Sequence, residues 1–186
     1  ELEFRKLGIE SMPFRPIVAS GPNGAFPHHK AGDRRFKRGD SVVLDLGAAY
    51  KGYCSDITRT VFIERVGSKE KAVYEIVRQA QQSAFESIAE GVEARRVDRA
   101  ARTHIASKGY GEKFIHRTGH GIGLDVHEAP YIWEGNTQIL KTGMTFSVEP
   151  GIYLPDRFGV RIEDAVVVEG KKARRLNKVS RELTVN

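Results

Sequence analysis

The sequence predicts an α+β fold made of two similar halves. Helical and strand-like stretches follow one another in a readable order. Two segments then repeat a pattern. "FKRGDSVVLDLG" places Asp45 six residues past Gly39, and "LKTGMTFSVEPG" places Glu149 six residues past Gly143, an offset of 149 − 45 = 104. Each repeat also leads into a second acidic strand, "SDITRTVFI" with Asp56 and "RIEDAVVV" with Glu163. The halves run over about 1–67 and 68–186 of the 186 residues.

Taken in order, "ELEFRKLG" reads as a helix end stopped by Gly8. "RPIVASGPNGAFPHH" reads as a strand, a Gly/Pro turn and an extended piece. "DSVVLDLGAAYKGYCSDITRTVFI" gives two strands joined by a turn at Lys51-Gly52. A long helix is expected from Ser68, a possible cap, to about Glu90, with Ala72, Ile76, Ala80 and Phe85 on its apolar face and Gly91 as its stop. "DRAARTHIASKG" gives a second helix ending at Gly109. A glycine-rich histidine segment follows, then two strands, "GMTFSVEPGIYL" and "GVRIEDAVVVEG".

Bulk properties narrow the class. With 40% hydrophobic and 29% charged residues the chain has an ordinary globular composition and can form one domain. Its one cysteine, Cys54, allows no internal disulfide. No apolar run approaches the roughly 20 residues of a membrane helix, and residues 1–10 lack a signal-peptide layout, so a cytoplasmic protein is expected. The formal charge is +6. The excess lies largely in 30–39 and 170–182, and the latter has no aromatic residue to stack on bases. Nucleic-acid binding is not expected.

The chemistry lies in the acidic strands and in "RTGHGIGLDVHEAPYI". By period two, Asp45 shares a face with Ser41 and Val43, while Val42, Leu44 and Leu46 face the other way. Glu149 continues a polar stripe with Thr145 and Ser147. Glu163 shares a face with Arg161, and Asp164 points oppositely. Any one of these could be an exposed strand position. Four carboxylates in two equivalent places, with His120 and His127 between them, suggest a divalent-metal site.

"SGPNGAFPHH", "LDLGAAYKGYCSDITRT", "HRTGHGIGLDVHEAP", "SVEPGIY" and "GVRIEDAVVV" together resemble the pita-bread metallopeptidases, the family of methionine aminopeptidase, prolidase and aminopeptidase P. The resemblance covers essentially the whole chain. It implies a pita-bread fold, with pseudo-two-fold halves around a curved antiparallel sheet. It implies two divalent ions (Mn, Co, Fe or Zn) on Asp45, Asp56, His120, Glu149 and Glu163, with Asp56 and Glu163 bridging. Gly119 and Gly121 would let the backbone come close to His120. His28 and His127 resemble substrate histidines, and His116 and Arg161 match positions of the proline-specific branch. His29 is expected to be a surface imidazole.

The implied reaction is hydrolysis of a peptide bond near a free N-terminus by hydroxide shared between the ions, with Glu149 as proton shuttle and His127 and His28 as hydrogen-bond donors. Thr58, Ser147 and Arg161 could orient the carboxylates. His28-His29 and "GLDVHEAP" favour the proline branch, hence a peptide with proline after the first residue, cleaved by a Xaa-Pro dipeptidase or aminopeptidase. A methionine aminopeptidase-like enzyme, a creatinase-like hydrolase and a non-enzymatic peptide-binding relative are the alternatives. The last two discard ligands that are all present here. Homodimers are common in such a family. By the repeat, the long helix at Ser68 has its counterpart at 68 − 104 = −36, so the sequence is expected to be a catalytic domain lacking a first-half helix and an apolar sheet face is expected to lie exposed.

Overall fold

A computed structural model describes residues 2–9 and 11–186. The chain opens with a short helix α1 (Leu2–Lys6), strand β1 (Ile17–Ser20) and a 3-10 turn (Gly21–Ala25). β2 (Ser41–Tyr50) and β3 (Tyr53–Phe62) form a long hairpin. Lys51 and Gly52 both have positive φ, 51° and 77°, the signature of the two-residue turn expected there. Helices α2 (Ser68–Glu86) and α3 (Ala94–Ser107) follow. Then come β4 (Gly119–Gly121), β5 (Glu128–Ile132), β6 (Thr145–Val148), β7 (Gly151–Leu154), β8 (Phe158–Arg161), β9 (Asp164–Glu169), β10 (Lys172–Arg175) and β11 (Thr184–Val185).

The strands build two main sheets, ordered β1-β2-β3-β11 and β10-β9-β6-β4-β5, with β7-β8 as a separate hairpin. The triplet β1-β2-β3 in one sheet corresponds to β4-β6-β9 in the other. β2 starts at residue 41 and β6 at 41 + 104 = 145, the offset of the sequence repeat. Each central strand pairs antiparallel with both neighbours.

Local details differ from expectation. The histidine segment is not a loop throughout, because its ends pair as β4 and β5. A Cβ on Gly119 or Gly121 would overlap the carbonyl oxygen of Ser147 or Ala129, so only glycine allows the strands this close. The two acidic strands of the second half are each broken into two. Pro150 cannot donate to a ladder, and the amide of Glu149 turns to Thr118 O at 2.8 Å. The amide of Glu163 crosses to Thr58 O of the first sheet at 3.1 Å. Glu149 and Glu163 therefore sit at the breaks, where the backbone passes between the second sheet and the β7-β8 hairpin.

The long helix ends at Glu86 rather than near Glu90, and Gly67, not Ser68, is its N-cap. Its buried stripe is Val73, Val77, Ala80 and Ala84, one position off the expected Ala72 and Ile76, because Tyr74 and Gln81 are also drawn inside. α3 starts four residues before the expected Asp98. Both helices pack on the second sheet in one core with Phe62, Phe146, Ile152 and Val166. The first sheet lends Phe62 to that core and carries a small separate cluster, Ile17, Ala19 and Val43. On its other face Val18, Leu44, Leu46, Ile57 and Val61 are half-buried. Among the described residues no helix is long and apolar enough to cross a membrane.

Candidate active site

Five strand-borne or strand-end side chains converge at the seam between the sheets. Oxygens of Asp56 and Glu163 and a nitrogen of His120 lie within 4.8 Å of one another. Glu149 Oε1 stands 3.2 Å from His120 Nε2 and Asp56 Oδ2 3.8 Å from it. Asp45 is paired in register with Thr58, and Asp56 with Gly47, so β2 and β3 put both carboxylates on one face. All five residues line one cavity of about 630 Å³, together with His28, His29, His116, Arg117, His127 and Arg161.

The supporting contacts follow from the alternation read in the sequence. Thr58 Oγ1 donates to Glu163 Oε2 at 2.6 Å. Ser147 Oγ donates to Glu149 Oε1 at 3.0 Å and accepts from the amide of His120. Arg161 donates to Asp45 Oδ2 at 2.6 Å, and also to Thr58 Oγ1, the Tyr153 hydroxyl and Pro27 O. At 3% exposed, Arg161 has its guanidinium committed to protein groups. It orients Asp45 and, through Pro27, the turn that carries His28.

The electrostatics of the bare cluster are strained. Burial, then the charges of Asp45 and Glu149, push Asp56 up to about 9. Burial, then Asp56, pushes Glu163 well above the usual carboxylate range. Burial also raises Asp45, with Arg161 opposing. Glu149 is the exception. Burial acts to raise it, but its hydrogen bond to His120 and the nearby His116, His120 and Arg161 hold it at about 2.

A divalent ion fits this donor set. Asp45 Oδ1, Asp56 Oδ1 and Glu163 Oε1 are buried without a hydrogen-bond partner, a costly state unless something positive meets them. His120 Nδ1 lies 3.1 Å from Gly121 O. A carbonyl only accepts, so Nδ1 carries the hydrogen and Nε2 points its lone pair at Glu149. A proton or a metal ion must sit between them.

The histidines divide into two kinds. His116 is engaged at both nitrogens, with Arg117 O at 2.7 Å and the Tyr153 hydroxyl at 2.8 Å, and burial lowers its pKa. His28 is exposed at the cavity, and His127 lies edge-on to His120 with ring centroids 4.1 Å apart. Although His127 faces the open cavity, desolvation of its ring, then His120 and Arg117, lower its pKa. His29, expected at the surface, is half-buried and lines the same cavity because the 26–29 turn folds inward, closed by His29 N to Phe26 O at 3.2 Å.

Two groups escaped the sequence reading. Tyr153 is 2% exposed, and its hydroxyl, pushed up to about 12 by burial, joins His116 to Arg161. Its place four residues after Glu149 was the available signal. Asp98, fully buried on α3, accepts from Arg102 and from the amide and hydroxyl of Thr118, while Arg102 also holds Phe114 O and His116 O. This clamp hangs the histidine segment from the helix.

Residues 1–170 match metallopeptidase family M24. The chain belongs to this family. It is 48% identical over 176 residues to the Xaa-Pro dipeptidase of Pyrococcus horikoshii, covering 95% of this chain and 50% of that protein. The crystal structure of prolidase from Thermococcus sibiricus superposes with a TM-score of 0.96 at 54% identity, covering 98% of this chain and 50% of that one. The X-Pro aminopeptidase structure from Thermotoga maritima gives 0.98 at 45% identity, covering 100% of this chain and 53% of that one. The α+β pita-bread architecture expected from the sequence thus holds. The chain spans about half the length of the relatives it matches.

Proposed function

We propose that this chain is the metal-binding catalytic part of a Xaa-Pro peptidase, with Asp45, Asp56, His120, Glu149 and Glu163 holding two divalent ions. The observation that carries the reading is the set of three buried carboxylate oxygens without partners, gathered with one imidazole lone pair in a cavity large enough for a dipeptide. The similarity to proteins named Xaa-Pro dipeptidase and X-Pro aminopeptidase supports the substrate class.

Divalent ions held there supply a Lewis acid and a water of lowered pKa. The chain's own groups do the rest. Glu149, held ionised, takes a proton from the attacking water and returns it to the leaving nitrogen. His127 and His28 donate hydrogen bonds to the scissile carbonyl oxygen as charge develops on it. Arg161 and Thr58 fix Asp45 and Glu163 so that the cluster is preorganised. Proline at the second position makes the scissile bond a tertiary amide with fixed φ, a shape a dedicated cavity can select.

The test measures divalent metal content together with cleavage of Xaa-Pro and of non-proline dipeptides. Roughly two ions per chain, and proline-dependent hydrolysis lost on chelation and restored by metal, are expected. Hydrolysis that survives complete metal removal would sink the reading.

A further inference from the structure

The reading of this chain as a Xaa-Pro peptidase leaves open how the far end of the substrate is recognised, and one arginine of the cavity has no carboxylate partner among the described residues. Arg117 lines the same cavity as the five candidate ligands. It is half-buried, and its guanidinium lies over the ring of Tyr131 with Cζ 4.6 Å from the centroid. Among the described residues no carboxylate pairs with it. The other cations of the cavity differ. Arg161 is committed to Asp45. Arg15 and Lys30 are exposed, on segments outside any helix or strand.

Arg117 is also held in place from behind. The residues on either side of it are fixed by the Asp98–Arg102 clamp, through His116 O at 3.0 Å and Thr118 Oγ1 at 2.7 Å. Stacking occupies one face of the guanidinium and leaves its N–H edge for an acceptor. A planar, preorganised, uncompensated guanidinium beside a peptide-sized cavity suits a carboxylate, which it can grip with two parallel hydrogen bonds.

A Xaa-Pro dipeptide brings such a carboxylate. Its C-terminus lies only about 3.5 Å, one residue's length, beyond the scissile bond. With the carbonyl at the carboxylate cluster, the terminal charge must enter the same cavity, where a buried anion without a counter-charge is costly. A longer peptide has a neutral amide at that place. Arg117 also lines the adjoining cavity of about 530 Å³ with Tyr131 and Trp133, so it borders both spaces.

We propose that Arg117 is the specificity-determining residue that reads the free C-terminal carboxylate of a dipeptide, making this site dipeptidase-like rather than aminopeptidase-like.

The experiment compares alanyl-proline with alanyl-prolinamide on the metal-loaded full chain and on Arg117→Gln and Arg117→Lys. The wild type is expected to prefer the acid. Arg117→Gln should lower kcat/KM for the acid by roughly 10- to 100-fold, the range for hydrogen bonds to a charged group, mainly through KM, so that the acid-to-amide preference collapses. Arg117→Lys, which keeps the charge and loses the fork, should fall between, and it decides the matter should the glutamine variant not fold. A wild type with no preference for the acid, an Arg117→Gln that loses both activities together, or a preference that disappears with Lys30→Gln and survives Arg117→Gln would each overturn the assignment. A wild type that cleaves neither compound overturns the Xaa-Pro reading itself, and this inference with it.

Discussion

Glu163 and Asp164 are neighbours in the chain, both almost fully buried, and opposite in character. Glu163 faces three other carboxyl groups, keeps one oxygen without a partner and holds its proton far above the usual range. Asp164 points the other way, where Arg59 meets it at 2.6 Å, Arg175 at 3.1 Å, Arg181 at 3.6 Å and Gln81 at 3.2 Å. The same Arg59 reaches the carbonyls of Glu163, Val179 and Ser180 and ties the C-terminal segment down. A buried charge that the protein satisfies itself belongs to the architecture. One that it leaves unsatisfied is waiting for a partner from outside. One residue of strand alternation separates the two.

That contrast can be broken on either side. On the open side, Glu149→Gln should reduce Xaa-Pro hydrolysis by roughly 10²–10⁴-fold, the range for a positioned acid–base group, even where the variant retains metal. Steady-state rates alongside metal content check it, and a variant with substantial turnover would remove Glu149 from the proton path. On the closed side, Asp164→Asn strands three arginines and should cost about 3–5 kcal/mol of stability, read from denaturant unfolding. A loss under 1 kcal/mol would mean that the network is no tighter than a surface cluster.

His127→Ala should slow hydrolysis by roughly 10²–10³-fold, the cost of one oxyanion donor, with the melting temperature of the metal-loaded chain little changed. An unaltered rate would confine His127 to packing against His120. The smallest effect is one of pH. Unfolded Asp56 is ionised above about 4, while the native metal-free chain keeps the proton up to about 9. Between pH 7 and 9 the native state thus binds more protons than the unfolded one, and its stability should fall as pH rises. Added divalent metal displaces that proton and should stabilise more at pH 8.5 than at pH 7. Thermal melts with and without chelator test this. A metal-free chain that grew more stable over that range would contradict the crowded cluster.

Much of this contrast is legible in the sequence, because strand alternation is a local property. It places Arg161 and Glu163 on one face and Asp164 on the other, and it joins Thr145, Ser147 and Glu149 in one stripe. The 104-residue repeat anticipates the matching triplets of strands. What stays hidden depends on contacts far apart in the chain. Asp98 reads as an ordinary charge on a helix, and only the fold brings it to Thr118, 20 residues on. Tyr153 reads as an apolar strand residue until His116 and Arg161 meet its hydroxyl. The strand break at Pro150 goes with an amide that turns to Thr118 beside β4, and the one at Glu163 with an amide that crosses to Thr58 of the other sheet, which no periodicity records. His29 turns inward because a turn closes behind it.

The meeting of the sheets has a further consequence. The first half brings Asp45 and Asp56 to the cluster, and the second brings His120, Glu149 and Glu163. Divided near residue 67, the chain would give one fragment with two of the five candidate donors and one with three, so neither carries the whole set proposed to hold metal. Divalent metal should then act as a reporter of complementation: mixed fragments should bind it more tightly than either does alone, and the shared ion would hold each to the other.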